Sequence, residues 1–165
     1  MKKLYFLCTF IALALLLVGC GQGNGSKTGS QSEEVEEEVS TLTVYKPDAE
    51  STFVEPYELE YTGNEDGLVT FIYDEVVTHE VGLIDFKFEN NGESLVLNLD
   101  EGVKTVQGSA GGFLFAGTLV ESYFANYPNL DEVTFIHNGS YEEILDHLSV
   151  GQPYTRENAA FTNEK

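Results

Sequence analysis

The segment QGSAGG, residues 107–112, places the hydroxyl of Ser109 among glycines, a setting that can hold a serine nucleophile or a phosphate. A nucleophile elbow requires the order G-x-S-x-G, and this pattern fails because position 107 is glutamine. A phosphate cradle is disfavoured because no lysine or arginine follows within the first helical turns. The segment therefore predicts a flexible entrance to a helix, with Ser109 as its cap.

Three histidines, His79, His137 and His147, are the side chains best suited to base catalysis or metal binding. They show no i, i+4 pair, no H-E-x-x-H motif and no accompanying cysteine ligand. His137 is in phase with the apolar residues Val133 and Phe135, which favours a hydrogen-bonded histidine at the margin of the core. The sequence therefore predicts no metal site and no cofactor.

Carboxylates are abundant, since the chain has 28 acidic residues. Pairs suited to glycoside cleavage can be chosen among them in many ways, and sequence does not fix the separation that such chemistry requires. The segment GNEDG, residues 63–67, lacks the D-x-[DN]-x-[DN]-G order of an EF-hand loop and is predicted to be a turn. The acidity predicts solubility, and we expect no enzyme activity.

Cys20 lies at the end of an N-terminal segment typical of export. Two lysines and an apolar run over residues 4–18 precede it, and the run is too short and too early for a comfortable membrane span. The run ends in LVGC rather than an A-x-A-like site, which resembles the lipobox of bacterial lipoproteins. That resemblance implies that Cys20 becomes the first mature residue and carries a diacylglycerol on its sulfur. The alternative is an ordinary signal peptide with a chance cysteine.

These features divide the chain into three parts. Residues 1–19 are predicted to be a lipoprotein signal peptide, residues 20–40 the lipidated cysteine with a flexible acidic linker, and residues 41–165 one domain. Glycines, serines and glutamates make the linker a spacer, although its glutamates leave a calcium-attracting cluster as an alternative. Cys8 leaves with the signal, so the mature chain forms no disulfide. We predict a protein lipid-anchored to the extracytoplasmic face of the cell membrane.

The charge of the mature chain limits its partners. Six basic and 28 acidic residues follow Cys20, a formal net charge of −22, and the domain from Thr41 onward has five against 23, a formal −18. Nucleic acid is excluded, because its binding depends on neutralising phosphates with lysine and arginine. Anionic lipid repels the domain for the same reason. A partner of the domain is expected to be cationic.

Residues 41–79 are predicted to form two strands and a helix. The alternation in TLTVYK predicts the first strand, and TFVEPYELEYT predicts a second that lies at a sheet edge because Pro56 lacks an N–H. Glu65 and Asp66 favour a helix N-terminus, against the β-branched composition of the segment that follows. The predicted helix has an apolar face of four residues at helical spacing: Leu68, Ile72, Val76 and His79.

The segment LIDFKFENNGESLVLNLD predicts a β-hairpin with a two-residue turn at Asn91-Gly92. This register pairs three sets of apolar side chains on one face: Phe88 with Leu95, Phe86 with Leu97, and Ile84 with Leu99. A slip of one residue would turn all of them to water, so the register is strongly specified. We expect the hairpin to bury this face.

The remaining chain predicts a helix, a strand and a second, short helix. Apolar and small residues from Phe113 to Tyr127 recur every three or four positions, which predicts an amphipathic helix that ends before Pro128. VTFIHNG predicts a strand. Ser140-x-x-Glu143 is a capping-box pattern, and it predicts a helix whose apolar residues are Ile144, Leu145 and Leu148.

This order of elements resembles the GerMN domain, the sporulation and spore-germination domain of bacterial envelope lipoproteins. The resemblance covers about residues 41–156, and it is most specific in TLVESYFANYPNLDEVTFIHNG. FIYDEVV departs from the Leu/Ala-rich first helix of the family. The family implies an α+β fold: one compact domain, similar to ring-building folds, with a mixed or antiparallel sheet, a hairpin and two main helices on one face. It implies no catalytic constellation.

Two classes of function follow. The first is a lipid-anchored interaction or scaffold module of a bacterial envelope complex in sporulation or germination, with protein partners in a homo- or hetero-oligomeric assembly. The alternative is a small-ligand or cell-wall-binding lipoprotein. A scaffold would present an exposed strand edge or helix face, whereas a ligand site needs polar groups that converge on an apolar concavity.

Overall fold

The computed structural model describes residues 39–163, which form the predicted α+β fold. Its α-helices and strands in chain order are β1 (Val39–Pro47), β2 (Val54–Thr62), α1 (Glu65–Val76), β3 (Leu83–Glu89), β4 (Ser94–Leu99), α2 (Gly108–Asn126), β5 (Glu132–His137) and β6 (Pro153–Thr155), and short 3₁₀ helices occupy Asn90–Gly92 and Glu101–Thr105. The predicted signal peptide and nearly all of the predicted linker lie outside the described residues. The strand predicted from Thr41 is present and begins at Val39.

The strands form two sheets. β1 and β2 pair antiparallel in a two-stranded sheet, here called the small sheet. The large sheet has the order β3-β4-β5-β6, in which β4 and β5 are parallel and the other pairs antiparallel. The large sheet is therefore mixed, and its central strands β4 and β5 contribute residues that are almost all buried.

The predicted hairpin is formed by β3 and β4, with one error in its register. Phe86 lies opposite Leu97 and Phe88 opposite Leu95, as predicted. The predicted pairing of Ile84 with Leu99 is wrong, because the register shifts between Leu83 and Asp85 and puts Leu83 opposite Leu99. The expected burial is also wrong for β3, whose Ile84 is 50% exposed and Phe88 40% exposed. β3 is an edge strand, so no further strand of the described chain covers its outer side.

Helix α1 confirms the helix prediction and corrects its start and its face. The Asn64 side chain accepts a hydrogen bond from the Gly67 N–H at 3.1 Å, so the helix begins inside the segment predicted to be a turn. Its buried residues are Val69, Ile72, Tyr73 and Val76. His79, which was predicted to share the apolar face, is exposed and lies beyond the last helical residue.

Helix α2 occupies the centre of the fold. Ser122 contacts β1, Tyr123 contacts α1, and the Phe115 ring lies 5.9 Å from the Phe135 ring of β5. Because it has neighbours on several sides, the helix is buried around most of its surface and the predicted amphipathic pattern is wrong. Ser109 lies inside its first turn and Gln107 holds the cap position, so the predicted cap is also wrong.

The short helix predicted after Ser140 is absent from the described structure. The Ser140 hydroxyl accepts a hydrogen bond from the Glu142 N–H at 3.1 Å, which closes a local turn in place of a capping box. Leu148 and Val150 are buried, and the Gly151 N–H donates to the Phe135 carbonyl at 2.7 Å. These contacts hold the segment against β5 as an irregular loop with several bends, and the loop leads into β6, which the sequence did not predict.

Neither α1 nor α2 combines the length with the apolar composition that a membrane-spanning helix requires.

Candidate functional site

Cys20, the predicted site of lipid attachment, precedes the first described residue, Val39. Its acylation and the cleavage before it stay predictions from the sequence.

Ser109 and His147, which are far apart in the sequence, line one cleft of about 330 Å³ at the start of α2. Glu143, Asp146 and Tyr154 line it as well, and we call it the histidine cleft. Sequence spacing gave no signal for this cluster, because the segment that carries His147 was predicted to be helical. A hydroxyl, an imidazole and two carboxylates in one concavity raise the question of nucleophilic catalysis.

The hydrogen bonds of His147 argue against a role as a general base. Its Nδ1 lies 2.9 Å from an Asp146 carboxylate oxygen, and its Nε2 lies 2.8 Å from the Val106 carbonyl oxygen. These partners raise the pKa of His147, the Asp146 carboxylate most and the Val106 carbonyl next. A base must offer a free nitrogen lone pair to the hydroxyl that it deprotonates. Because both nitrogens face acceptors, His147 instead fastens its loop to the chain that enters α2.

The other two histidines have structural partners. His137 is 8% exposed, and its Nε2 lies 3.2 Å from Glu101 Oε1 and 3.0 Å from Asn138 Nδ2, which confirms the predicted hydrogen-bonded histidine at the core margin. His79 is exposed, and its ring lies edge-on to the Phe115 ring at 5.9 Å. Within residues 39–163, no group of three His, Cys, Asp or Glu residues is placed to hold a metal ion.

A second concavity of about 450 Å³ lies beside the hairpin turn. We call it the aromatic cleft, and its lining includes Glu65, Leu68, Phe88, Tyr127 and Pro128. The exposed ring of Phe88 lies 5.3 Å from the ring of Tyr127. The cleft therefore offers aromatic surface with one carboxylate at its rim.

Tyr127 contributes an unusual hydroxyl to this region. Its Oη is buried and has no hydrogen-bond partner among the described residues. Burial raises the pKa of Tyr127 to about 12, and the negative charge of Glu65 adds to the effect. The phenol is therefore neutral at physiological pH, and its missing hydrogen bond costs free energy in the folded state.

The main-chain groups on the outer side of β1 form hydrogen bonds with side chains of α2. Asn126 Oδ1 accepts from the Thr43 N–H at 3.2 Å, and Asn126 Nδ2 donates to the Thr43 carbonyl at 2.7 Å. The Ser122 hydroxyl accepts from the Tyr45 N–H at 2.7 Å. The main-chain groups of Thr43 and Tyr45 therefore point away from β2.

The β2 residues whose main-chain groups point outward can be identified from the pairing of β2 with β1. In an antiparallel pair, residues opposite each other both point their main-chain groups inward or both outward. Thr43 lies opposite Glu58, Tyr45 opposite Pro56 and Thr41 opposite Glu60, so these three β2 residues face outward. Val54, two positions earlier, also faces outward and donates to the Phe161 carbonyl at 3.0 Å.

We call the outward main-chain groups of Pro56, Glu58 and Glu60 the β2 edge. Among the described residues, nothing accepts from the N–H groups of Glu58 and Glu60. Pro56 has no N–H, and its outward position explains how the strand tolerates it. The prediction of an edge strand at Pro56 is confirmed, and the edge is open.

The described chain is thus an α+β domain in which two sheets enclose a central helix, and solved structures share this fold. No sequence-family model matches the chain. It is similar to the tandem GerMN domains of the sporulation protein GerM from Bacillus subtilis, with a TM-score of 0.54 and 16% identity over 82% of this chain and 51% of that one. The chain therefore spans about half the length of the tandem structure. The resemblance to GerMN domains is confirmed at the level of the fold.

A Clostridium perfringens protein described as a putative lipoprotein is also similar, with a TM-score of 0.46 and 12% identity over 73% of this chain and 89% of that one.

Proposed function

We propose that this protein is a lipid-anchored interaction module on the extracytoplasmic face of a bacterial cell membrane, where it binds a protein partner in an envelope complex of sporulation or germination. The open β2 edge is the observation that carries the proposal. The lipobox-like LVGC sequence supports the anchor, and the GerMN fold supports the setting.

An open strand edge is a binding surface because its N–H and C=O groups can pair with another chain. Partners that add a strand to such an edge gain main-chain hydrogen bonds, and their side chains supply specificity. The edge of β1 is occupied by Ser122 and Asn126, whereas the edge of β2 is open beyond Val54. The contrast supports β2 as the surface that a partner covers.

The candidate chemical groups give less support to an enzyme. Ser109 lines the histidine cleft, but both ring nitrogens of His147 are engaged by other acceptors. His137 is held by Glu101 and Asn138. Binding therefore accounts better than catalysis for the surface features of residues 39–163.

Photo-crosslinking in cells tests the proposal. A benzophenone amino acid replaces Tyr57, which lies in β2 and is 42% exposed, and the control replaces Tyr141, which is 49% exposed and lies outside β2. We expect an adduct with an envelope protein from position 57 and none from position 141, and we expect Cys20→Ala to abolish it. Equal adducts at both positions, or none at position 57 in anchored protein, would contradict the proposal.

The aromatic cleft supports a second candidate function, binding of a small cell-wall ligand. Its volume of about 450 Å³ lies within the range of small-molecule sites, and aromatic rings with nearby amides and a carboxylate are typical of their linings. Calorimetric titration with soluble peptidoglycan fragments tests it. Binding that Phe88→Ala weakens at least tenfold, while Tyr141→Ala has no effect, would support this candidate, and absence of a heat signal would exclude it.

A further inference from the structure

We infer that the β2 edge binds an extended segment of another protein that carries lysine or arginine at alternate positions, and that this segment pairs with β2 as an added strand. The inference rests on the proposed function and adds the chemistry of the partner.

The outer side of β2 already forms one main-chain hydrogen bond, at Val54, just before the β2 edge begins. The C-terminal segment lies beside the start of β2, where the Phe161 carbonyl accepts from the Val54 N–H at 3.0 Å. Further along β2, the main-chain groups that point outward are the carbonyl of Pro56 and the N–H and carbonyl groups of Glu58 and Glu60. A strand added beside this segment could form hydrogen bonds with the N–H and C=O groups of both Glu58 and Glu60, which are spaced as in a regular sheet.

The side chains beside these positions set the charge of the strand. Successive β-strand residues alternate between faces, so Glu58 and Glu60 project on the same face of the small sheet. They lie opposite Thr43 and Thr41 of β1, which bring no charge. No lysine or arginine of the described chain forms an ion pair with either glutamate. Lysine or arginine at every second position of an added strand would lie directly opposite them.

Charge excludes two other occupants. A second copy of this chain that paired through its own β2 would place glutamates beside glutamates, which is destabilising. The linker of this chain carries Glu33, Glu34, Glu36, Glu37 and Glu38, and it is repelled for the same reason. An acidic edge therefore resists self-pairing and selects a basic partner.

The rest of the domain strengthens this selection. From Thr41 onward it carries 23 acidic and five basic residues. The negative electrostatic potential of this excess of acidic residues speeds the association of a cationic segment. The effect weakens as added salt shortens the Debye length. Charge alone gives no strand register, so the main-chain bonds and the charge can be tested separately.

Fluorescence anisotropy with labelled synthetic peptides provides the test, using the full mature chain in detergent. The probes are a ten-residue peptide of alternating threonine and lysine, the same peptide with alternate amides N-methylated in each of the two phases, and a threonine–glutamate peptide. We expect the threonine–lysine peptide to bind, the threonine–glutamate peptide not to bind, and methylation in one phase to weaken binding at least tenfold.

Charge reversal at the edge supplies the second arm. The double variant Glu58→Lys with Glu60→Lys should lose at least tenfold in affinity for the threonine–lysine peptide. The matched control reverses two exposed glutamates outside β2, Glu142→Lys with Glu143→Lys, and it should lose less than threefold. Circular dichroism of both variants confirms that they fold.

Three results would overturn the inference: no binding of the threonine–lysine peptide, binding that neither methylation phase weakens, or equal losses in the two double variants. The second and third would show attraction by net charge alone. These outcomes are distinct from failure of the proposed function, because crosslinks from Tyr57 to an envelope protein would still establish a partner. Absence of those crosslinks would contradict both the proposed function and this inference.

Discussion

Two tyrosines four residues apart, Tyr123 in the last turn of α2 and Tyr127 just after the helix, differ in the hydrogen bonds of their hydroxyls. Tyr123 Oη donates to the Val69 carbonyl at 3.0 Å, whereas Tyr127 Oη is buried without a partner in the described structure. Tyr123→Phe should lower the free energy of unfolding by about 1 kcal/mol, because a buried hydrogen bond is lost. Tyr127→Phe should leave it unchanged or raise it, because an unpaired hydroxyl is removed. Urea denaturation measures both, and an equal loss in the two variants would contradict the assignment.

Tyr127 should also affect how the stability of the protein depends on alkaline pH. Burial raises the pKa of Tyr127 to about 12 from an ordinary value of 10.0, so folding favours the neutral phenol. This stabilisation is fully present below pH 10 and is lost as the pH rises from 10 to 12. Tyr127→Phe should therefore lose less stability over that interval than the wild-type protein. An identical pH dependence would show that Tyr127 is not responsible.

Side chains of α2 provide the hydrogen-bond partners of the main-chain groups on the outer side of β1. Asn126 satisfies both main-chain groups of Thr43 with hydrogen bonds of 3.2 and 2.7 Å. Asn126→Ala should lower the free energy of unfolding by about 1–3 kcal/mol, because it leaves partly buried backbone groups unpaired. Asn129→Ala, at an exposed asparagine just beyond the helix, is the control and should change it by less than about 0.5 kcal/mol. Chemical denaturation distinguishes them, and similar values would remove the proposed role of α2.

The two strands of the hairpin should differ in their sensitivity to truncation. Leu97 in β4 is fully buried, so Leu97→Ala should cost about 2–5 kcal/mol. Phe88 in β3 is 40% exposed, so Phe88→Ala should cost clearly less, although phenylalanine is larger. Phe86 is half-buried and should fall between them. Thermal melts check the order, and a larger loss for Phe88→Ala would contradict the assignment of β3 as the edge.

Local chemistry explains which elements the sequence predicted. Asn91-Gly92 favours a tight turn, and the apolar alternation around it predicted two of the three hairpin pairs. The shift at Ile84 is a local irregularity of an edge strand, and no residue type in that segment requires it. Ser140 and Glu143 carry the signature of a capping box, but burial of Leu148 and Val150 and pairing of Gly151 with β5 outweigh a short helix.

The separation into two sheets was not predicted from the sequence, because it depends on where α2 packs. A helix that contacts β1, α1 and β5 is buried on most sides, so the single apolar face predicted from its sequence did not reveal all of these neighbours. The edge position of β2 was predicted because Pro56 lacks a main-chain N–H, a property that can be read from the sequence alone. The histidine cleft was not, because its residues meet only through the tertiary fold.

Anchoring is also a property of the whole chain. The intact mass of protein extracted from membranes should correspond to a chain that begins at Cys20 and carries a diacylglycerol. Cys20→Ala should leave protein that is unprocessed or absent from the membrane fraction. A mature chain that begins at another residue and carries no lipid would contradict the anchor.

Hydrogen exchange, compared between the protein in native membrane vesicles and the purified protein in detergent, tests directly whether a partner covers the β2 edge. If an envelope partner covers the β2 edge, the amides of Glu58 and Glu60 should exchange at least tenfold more slowly in the vesicles, while the inward-facing amides of β2 change little. Equal exchange at Glu58 and Glu60 in the two preparations would contradict the claim that β2 is the surface through which this protein binds its partner.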